Sequence, residues 1–300
     1  VIATDKTGTL TSNSMVVEEI VTAEGDFSVS GNGWEPKGKF YSWPSKKLIS
    51  VNEFSSLKKS FLISILCNKA NLFKRDKGYE IVGDPTEAAL LVLGKKSGLK
   101  KKELDKRIID DFSFNSELKF RGSLIKNPKG KEVFAVGAFE KILGKSSKIL
   151  KDGKIMELNS KIKGEFLSKA ESMALKGFRV LALSYKGVQG NVNSFSEGLV
   201  DNMVFVGFVG MKDPPRKAIK ESIQKARNAG IRVIMKTGDH KATALAIAKE
   251  IGLAKIKARV LTEKDLEKLS DAEFSKVVKE VDIFARVTPN MKMKIIQCLQ

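Results

Sequence analysis

The last third of the sequence repeats one pattern, in which helix-like segments alternate with short apolar strands. The segment after Asp213 has apolar residues at helical spacing and ends at Gly230, and residues 231–235 then have the length and composition of a buried strand. A helix at about 241–251, strands in ARVLT and DIFARV, a charged helix-like stretch at 263–281 and a final helix in MKMKIIQCLQ follow. This alternation predicts an α/β fold with a doubly wound parallel sheet.

The middle of the chain has a different pattern. Hairpin-like pieces such as FSVSGNGWEPKGKFY and strands in EVFAVGA, FRVLALSY and MVFVGFVGM accompany two helices, which predicts a separate mixed sheet. The first strand, VIAT, is too short to stand alone and matches the buried strands of the last third. We therefore expect one domain of residues 1–13 and 214–300, interrupted by a large mixed α+β domain of residues 14–213, with the two connections forming a hinge.

Composition excludes several classes of protein. With 300 residues, 42% of them apolar, the chain can bury a sizeable core, and no apolar run approaches the ~20 residues of a membrane-spanning helix. Cys67, Cys298 and the single His240 lack zinc-ligand spacing, which favours a reduced, cytosolic setting. The net charge of +19 is spread along the chain without a nucleic-acid-binding motif, so we expect a solvated surface that attracts phosphate ligands and no nucleic acid.

Polar residues follow two of the predicted strands directly. The apolar run of VIATDKTGTLT ends at Asp5, and Thr237-Gly238-Asp239 follows the strand IRVIMK in the same way. Ligands of open parallel sheets bind beyond the carboxyl ends of the strands. A carboxylate there can attack phosphorus if cations and N–H or O–H donors offset the repulsion between the two anions. The residues that could supply these donors are Lys6, Thr7, Gly8, Thr9, Thr237, Gly238 and Lys292.

Five ordered motifs extend this pattern over nearly the whole chain: DKTGTLT, GDPTEAAL, MKDPPR, TGDHKATA and ARVTPNMK. Together they resemble the P-type cation-transporting ATPases, and FSVSGNGWEPKGKF and FNSELKF resemble the calcium-pump-like subgroup. The resemblance implies a haloacid-dehalogenase-like phosphorylation (P) domain interrupted by a nucleotide-binding (N) domain. It also implies ATP hydrolysis that drives cation transport, with calcium as the first expectation and sodium or protons as alternatives.

The resemblance assigns roles to residues of the predicted P domain. It implies that Asp5 takes the γ-phosphate of ATP and that Mg²⁺ is held by the Asp5 carboxylate and the Thr7 backbone carbonyl. Thr237 and Gly238 are expected to bind the phosphoryl group, and Lys292 to neutralise its charge. The remaining expected members of the site are the catalytic donor Lys6, Asp239 beside the nucleotide and metal, and Arg286, which supports the phosphates or Asp239.

In the predicted N domain the resemblance implies a pocket for the nucleotide. Phe114 is expected to stack on adenine with Lys119 beside it, although a core phenylalanine would be the ordinary interpretation of Phe114 without the motif. The other expected pocket residues are Glu87, Gly137, Ala138 and Arg179. A surface salt bridge is the competing interpretation of Arg179.

Two features depart from the family pattern. Val136 stands where relatives have a lysine, so we expect weaker nucleotide binding than in typical relatives and tighter binding by a Val136→Lys variant in a nucleotide titration. The sequence also ends at Gln300, before the family's Gly-Asp-Gly-x-Asn-Asp motif, which implies an incomplete P domain with weak or no activity by itself. The start within a strand, without Met, predicts a piece of a longer protein.

The resemblance also implies partners and a location. The expected partners are ATP and the actuator domain and transmembrane helices of the same full-length chain, at the cytoplasmic face of a membrane. The transported cation is not expected to bind to this part of the protein.

Two other functions stay open at this stage. One is a free-standing haloacid-dehalogenase-like phosphatase or phosphotransferase, which usually has a second aspartate two residues after the nucleophile as general acid. That position is Thr7, which predicts a long-lived phosphoenzyme instead. The other is a nucleotide-binding regulatory module, or a nucleic-acid binder, in which Asp5 is inert.

Overall fold

The computed structural model describes residues 1–31, 33–76, 78–254 and 258–300. Its strands are β1 (Ile2–Asp5), β2 (Val16–Thr22), β3 (Gly25–Val29), β4 (Phe40–Trp43), β5 (Asn71–Arg75), β6 (Gly78–Val82), β7 (Ile108–Asn115), β8 (Phe120–Asn127), β9 (Gly130–Ala138), β10 (Ser146–Lys151), β11 (Lys154–Glu157), β12 (Arg179–Val188), β13 (Met203–Lys212), β14 (Val233–Lys236), β15 (Val260–Thr262) and β16 (Ile283–Ala285). Its helices are α1 (Ser55–Leu66), α2 (Pro85–Lys96), α3 (Lys101–Leu104), α4 (Phe139–Gly144), α5 (Ser160–Leu175), α6 (Ile219–Asn228), α7 (Lys241–Glu250), α8 (Glu263–Leu266), α9 (Asp271–Glu280) and α10 (Pro289–Leu299).

The chain divides into two compact units. Unit 1 comprises Val1–Ser14, Ala174–Phe178 and Asp213–Gln300, and unit 2 comprises Met15–Met173 and Arg179–Lys212. Together they form a mixed α/β architecture, which confirms the coarse fold class expected from the sequence. In the described parts of the chain, no helix is both long and apolar enough to span a bilayer.

Unit 1 contains a four-stranded parallel sheet with the order β1–β14–β16–β15. Strand β14 contributes to two apolar layers, because Ile234 and Met235 point to opposite faces. Ile247 of α7 packs in the layer that contains Met235, and Phe274 of α9 packs in the layer that contains Ile234. The sheet is therefore covered by helices on both faces, as parallel sheets generally are.

The charged stretch predicted as helical at residues 263–281 is two helices, α8 and α9, in the structure. The break is explained by a capping box at Ser270. The Ser270 side chain accepts a hydrogen bond from the Glu273 backbone N–H, and the Glu273 carboxylate accepts one from the Ser270 backbone N–H. This arrangement begins a new helix where the charge pattern alone suggested continuity.

Unit 2 contains a ten-stranded sheet in which β4–β3–β2–β13–β12–β9–β8–β7 are consecutive neighbours and β10 and β11 lie off this path. The pairs are antiparallel except β10 with β13. One face packs on α1 and α2 through a core that includes Phe61, Leu90 and Phe134. On the other face, Phe166 of α5 makes an edge-to-face contact with Phe205 of β13, at 5.1 Å between ring centroids.

Candidate functional site

Asp5 lies at the carboxyl end of β1, level with the end of β14. The two strands are parallel with Asp5 opposite Lys236, so Asp5 and the next residue of the second strand, Thr237, emerge at the same edge of the sheet. One carboxylate oxygen of Asp5 accepts a hydrogen bond from the backbone N–H of Lys6 at 2.7 Å. The other is 2.5 Å from Nζ of Lys292 in α10, so the carboxylate already has a cationic partner.

The loop after Asp5 turns sharply and is held by residues that the sequence analysis did not assign to the site. Gly8 has a positive φ of 75°, which only glycine adopts readily. The Arg216 guanidinium donates hydrogen bonds to the carbonyls of Gly8, at 2.6 Å, and Thr9, at 3.0 Å. Buried Thr11 donates to the Asp213 carboxylate at 2.5 Å. The motif MKDPPR, which had contributed only to the resemblance, therefore supports the loop.

The segment after β14 contributes the second half of this site. The Asp239 carboxylate lies 2.5 Å from Nζ of Lys6, whose side chain is 9% exposed. Thr237 is buried, and its hydroxyl oxygen accepts a hydrogen bond from the backbone N–H of Asp239 at 3.1 Å. The backbone N–H of Arg286, which has a positive φ of 51°, donates to the Asp239 carbonyl. Gly238 is exposed on the loop between its two neighbours.

Asp5, Lys6, Asp239 and Lys292 thus form two lysine–aspartate pairs at one sheet edge. The carboxylate oxygens at this edge belong to Asp5 and Asp239. Mg²⁺ prefers oxygen ligands, and it usually combines one or two carboxylates with phosphate oxygens and waters. No group of three His, Cys, Asp or Glu side chains suited to a metal occurs within the described ranges. Two carboxylates at an open sheet edge are the kind of ligands that Mg²⁺ takes.

Unit 2 contains a cavity of about 430 Å³. All six residues predicted for the nucleotide pocket line it: Glu87, Phe114, Lys119, Gly137, Ala138 and Arg179. A volume of this size is within the range of small-molecule sites. These residues are spread over almost 100 positions of the chain. That they surround one cavity could not be shown from the sequence alone.

The shape of the cavity depends on close backbone approach. A Cβ atom on Gly137 would collide with the Lys119 carbonyl and with Phe120, so only glycine fits at this position. Lys119 has a positive φ of 61°, and its carbonyl accepts a hydrogen bond from the Ala138 backbone N–H at 2.8 Å. Phe114 is 57% exposed. An exposed phenylalanine on a cavity wall offers a flat apolar face to a ligand, so the core interpretation of Phe114 does not hold.

The polar end of the cavity is formed at the start of α2. Asp84 caps this helix by accepting hydrogen bonds from the backbone N–H groups of Thr86 and Glu87, which fixes the first turn. Arg179 of β12 donates to the Thr86 hydroxyl at 2.8 Å, so its partner is a hydroxyl and not the acidic residue of a surface salt bridge.

One cavity residue, Arg121 of β8, was missed by the sequence analysis. Its side chain is only 4% exposed and forms ion pairs with Glu87 and with Asp111. Burial opposes its charge, but the neighbouring Cys67, Glu87 and Asp111 hold the pKa of Arg121 above its ordinary value. Arg121 also lies directly opposite Val136 in the β8–β9 pair. Val136 is the residue that stands where the family resemblance implies a lysine. In the sequence, the only indication that Arg121 has a special role is its charge within an otherwise largely apolar strand.

Comparison with known sequences identifies the family. A profile described as "P-type ATPase, cytoplasmic domain N" matches residues 56–218, more than half of the chain. The chain belongs to the P-type ATPase family. It is 36% identical over 303 residues to a calcium-transporting ATPase of Bacillus subtilis and 33% identical over 308 residues to the cation-transporting ATPase pma1 of Synechocystis. It is also 32% identical over 348 residues to calcium-transporting ATPase 4, endoplasmic reticulum-type, of Arabidopsis thaliana.

Each of these matches covers 100% of this chain but only 32–34% of the relative. The chain therefore spans about a third of the length of these P-type ATPases. Family membership, predicted from the five motifs, is confirmed. His240, whose role the sequence left open, is exposed at the N-cap of α7 and its side chain makes no capping hydrogen bond there.

Proposed function

We propose that this chain is the ATP-binding and autophosphorylating part of a P-type ion pump. In this proposal, unit 1 is the P domain, with a haloacid-dehalogenase-like wound sheet, and unit 2 is the N domain. The observation that carries it is the Asp5 carboxylate at the end of a parallel strand, with Lys292 2.5 Å away and the Lys6–Asp239 pair at the same edge. The cavity in unit 2, lined by exposed Phe114, supports nucleotide binding.

In the proposed reaction a carboxylate oxygen of Asp5 forms a bond to the γ-phosphorus of ATP. The bond from that phosphorus to the bridging β-phosphate oxygen breaks, and ADP leaves with the bonding electron pair. Lys292 offsets the negative charge that accumulates as the two anions meet. The Thr237 hydroxyl, whose oxygen accepts from Asp239, retains its hydrogen to donate to a phosphoryl oxygen. Mg²⁺, bound by Asp5 and the Thr7 carbonyl, would supply further charge neutralisation.

The absence of an acid at Thr7 supports a phosphoenzyme that lasts long enough to be used by other parts of a pump. A threonine cannot protonate a leaving group or activate water as a second aspartate would. We propose that the phosphoenzyme drives cation translocation through transmembrane helices and an actuator domain of the full natural chain, at the cytoplasmic face of a membrane. Calcium is the proposed cation, because two of the three relatives named above are called calcium-transporting ATPases.

The experiment is phosphorylation of the full natural chain with radiolabelled ATP and Mg²⁺. We expect an acid-stable, hydroxylamine-sensitive label that is lost in Asp5→Asn, because the amide cannot act as the nucleophile. Asp282→Asn is a matched control, since Asp282 is also an acidic residue of unit 1 but pairs with Arg232 away from this edge. A folded protein without label, or with label retained in Asp5→Asn, would contradict the proposal. Phosphate release without a trapped intermediate would favour a phosphatase.

A further inference from the structure

Four charged residues of unit 2 form a closed ring next to the cavity. Arg121 pairs with Glu87 through Nη1 and with Asp111 through Nη2, the latter at 3.2 Å. Nζ of Lys69 lies 3.3 Å from the other oxygen of Asp111, and the backbone N–H of Lys69 donates to the second oxygen of Glu87 at 2.8 Å. Each carboxylate is thus held at both of its oxygens by the same two basic residues.

The ring joins parts of the chain that are distant in sequence. Glu87 is in the first turn of α2, Asp111 is in β7, Arg121 is in β8, and Lys69 lies between α1 and β5. The exposed fractions of the side chains are 18% for Glu87, 25% for Asp111 and 54% for Lys69, against 4% for Arg121. Arg121 is therefore the buried member on which the other charges converge.

Only two members of the ring, Glu87 and Arg121, line the cavity. A carboxylate has about four acceptor positions, so Glu87 can still accept a hydrogen bond from a ligand after pairing with Arg121 and Lys69. Because both of its oxygens are held, Glu87 presents this acceptor in a fixed direction. Removal of Arg121 would leave only the backbone N–H of Lys69 on Glu87, and the side chain could then rotate.

We propose that Arg121 is a positioning residue for nucleobase selection. By holding Glu87, it makes the cavity select a purine with an exocyclic amine at C6, which donates to Glu87, over a purine with a carbonyl there. A 6-oxo purine would set its oxygen against the carboxylate, and a carboxylate fixed in direction rejects such a ligand more strongly than a mobile one, which can turn away. This inference rests on the proposed function, in that it takes the cavity to be the site of the nucleotide base.

The test is a calorimetric titration of the chain with ATP and with ITP, which differ at this position of the base. We expect the wild type to prefer ATP by about tenfold or more, as one hydrogen bond to a charged group allows. In Arg121→Met, which keeps the length of the side chain, the preference should fall to within about threefold. Arg121→Lys, which retains the charge but cannot bridge two carboxylates in the same way, should fall between these values.

The matched control is Lys59→Met. Lys59 pairs with Glu132 at 3.0 Å, with 19% and 15% exposed side chains, and its Nζ lies 4.1 Å from the centroid of the Tyr185 ring. It does not line the cavity, so its loss should destabilise unit 2 without changing the ratio of ATP to ITP affinity. An equal change of that ratio in Lys59→Met would overturn the proposal, because it would indicate general loosening of the unit.

Three further results would also overturn it: equal affinity of the wild type for ATP and ITP, a folded Arg121→Met with the wild-type preference, or, if Arg121→Met does not fold, an unchanged preference in Arg121→Lys. These results differ from failure of the proposed function. A wild-type chain that binds neither nucleotide would contradict nucleotide binding itself, whereas a wild-type chain that binds both without distinguishing them would contradict only the role of Arg121.

Discussion

The charged residues of the two units are connected differently. In unit 1 the side chains of Asp5, Lys292 and Asp239 are 38%, 23% and 31% exposed and that of Lys6 is 9% exposed, and the four residues form two separate pairs at the edge of the sheet. In unit 2, Arg121 is almost fully buried and belongs to a closed ring with Glu87. Pairs in contact with water typically contribute about 0–1 kcal/mol, whereas removing one partner of a buried pair costs about 3–5 kcal/mol.

This difference matches two kinds of chemical task. In the proposed reaction, Lys292 serves first the carboxylate of Asp5 and then an incoming phosphate, so its charge must be able to exchange partners. A site that only selects a base gains from fixed groups that need no rearrangement on binding. The separate pairs of unit 1 and the closed ring of unit 2 therefore suit the proposed reaction and the proposed recognition, respectively.

If unit 2 recognises the base, nucleotide affinity should depend on residues of its cavity. Phe114→Ala should weaken ATP binding by about fivefold to 150-fold, because stacking of one base on an aromatic side chain contributes about 1–3 kcal/mol. Titration calorimetry on the chain measures the effect. Phe73→Ala is the matched control, since Phe73 is also an exposed phenylalanine of unit 2, at 44%, but lies outside the cavity.

The affinity of Phe73→Ala should stay at the wild-type value. A loss of affinity in Lys292→Ala as large as that in Phe114→Ala would contradict the division of tasks, because Lys292 belongs to unit 1.

The local elements of this structure could be predicted where the sequence carries its own signals. Helix α2 spans Pro85–Lys96, and the Asp84 cap and the proline at its first position mark its start in the sequence. Phe114 and Gly137, which line the cavity, could be proposed as pocket residues because they belong to short motifs. The split between α8 and α9 was missed, because the Ser270 capping box competes with a charge pattern that is compatible with one helix.

Long-range features could not be predicted in this way. The position of Arg121 opposite Val136 depends on the register of β8 and β9, and its pairing with Glu87 requires α2 to end up beside that pair. A shift of one residue in that register would have turned Arg121 to the other face of the sheet. The support of the Gly8 carbonyl by Arg216 likewise joins residues 208 positions apart.

The burial of Cys67 in unit 2 predicts that the free energy of unfolding depends on pH. Complete burial raises the pKa of the Cys67 thiol from its ordinary value of 9.0 to about 11, and the nearby Arg121 guanidinium offsets this only in part. An acid whose pKa is higher in the folded state releases its proton more readily in the unfolded state. The free energy of unfolding should therefore fall between pH 9 and 11, by about 2–3 kcal/mol for this group.

Urea unfolding at several pH values, followed by the fluorescence of Trp34 and Trp43, measures this slope in unit 2, where both tryptophans lie. Cys67→Ala should remove this contribution to the slope, while lysine and tyrosine titration remains in both proteins. Cys298→Ala, in unit 1, is the control and should keep the wild-type slope. The same slope in wild type and Cys67→Ala would show that the thiol is not buried as described.

The smallest expected effect concerns the exposed hydrogen bonds of unit 1. Arg216→Ala removes two donors from the carbonyls of Gly8 and Thr9, and because these bonds are open to water, the cost should be about 1 kcal/mol. Hydrogen exchange of the peptide that spans residues 6–14 should accelerate about fivefold. Arg227→Ala is a close control, since Arg227 also donates to two loop carbonyls of unit 1, those of Gly252 and Leu253.

The control variant should accelerate exchange near residue 252 and leave the Asp5 loop unchanged. If Arg216→Ala left the exchange of residues 6–14 unaltered, the other hydrogen bonds of the loop, such as that from Thr11 to Asp213, would be enough to hold it. If it instead unfolded unit 1 as a whole, the sheet edge at Asp5 would depend on one exposed guanidinium as strongly as unit 2 depends on its buried one. Either result would contradict the distinction between charges that can exchange partners in unit 1 and charges that are fixed in unit 2. A fivefold change confined to the loop would support this distinction.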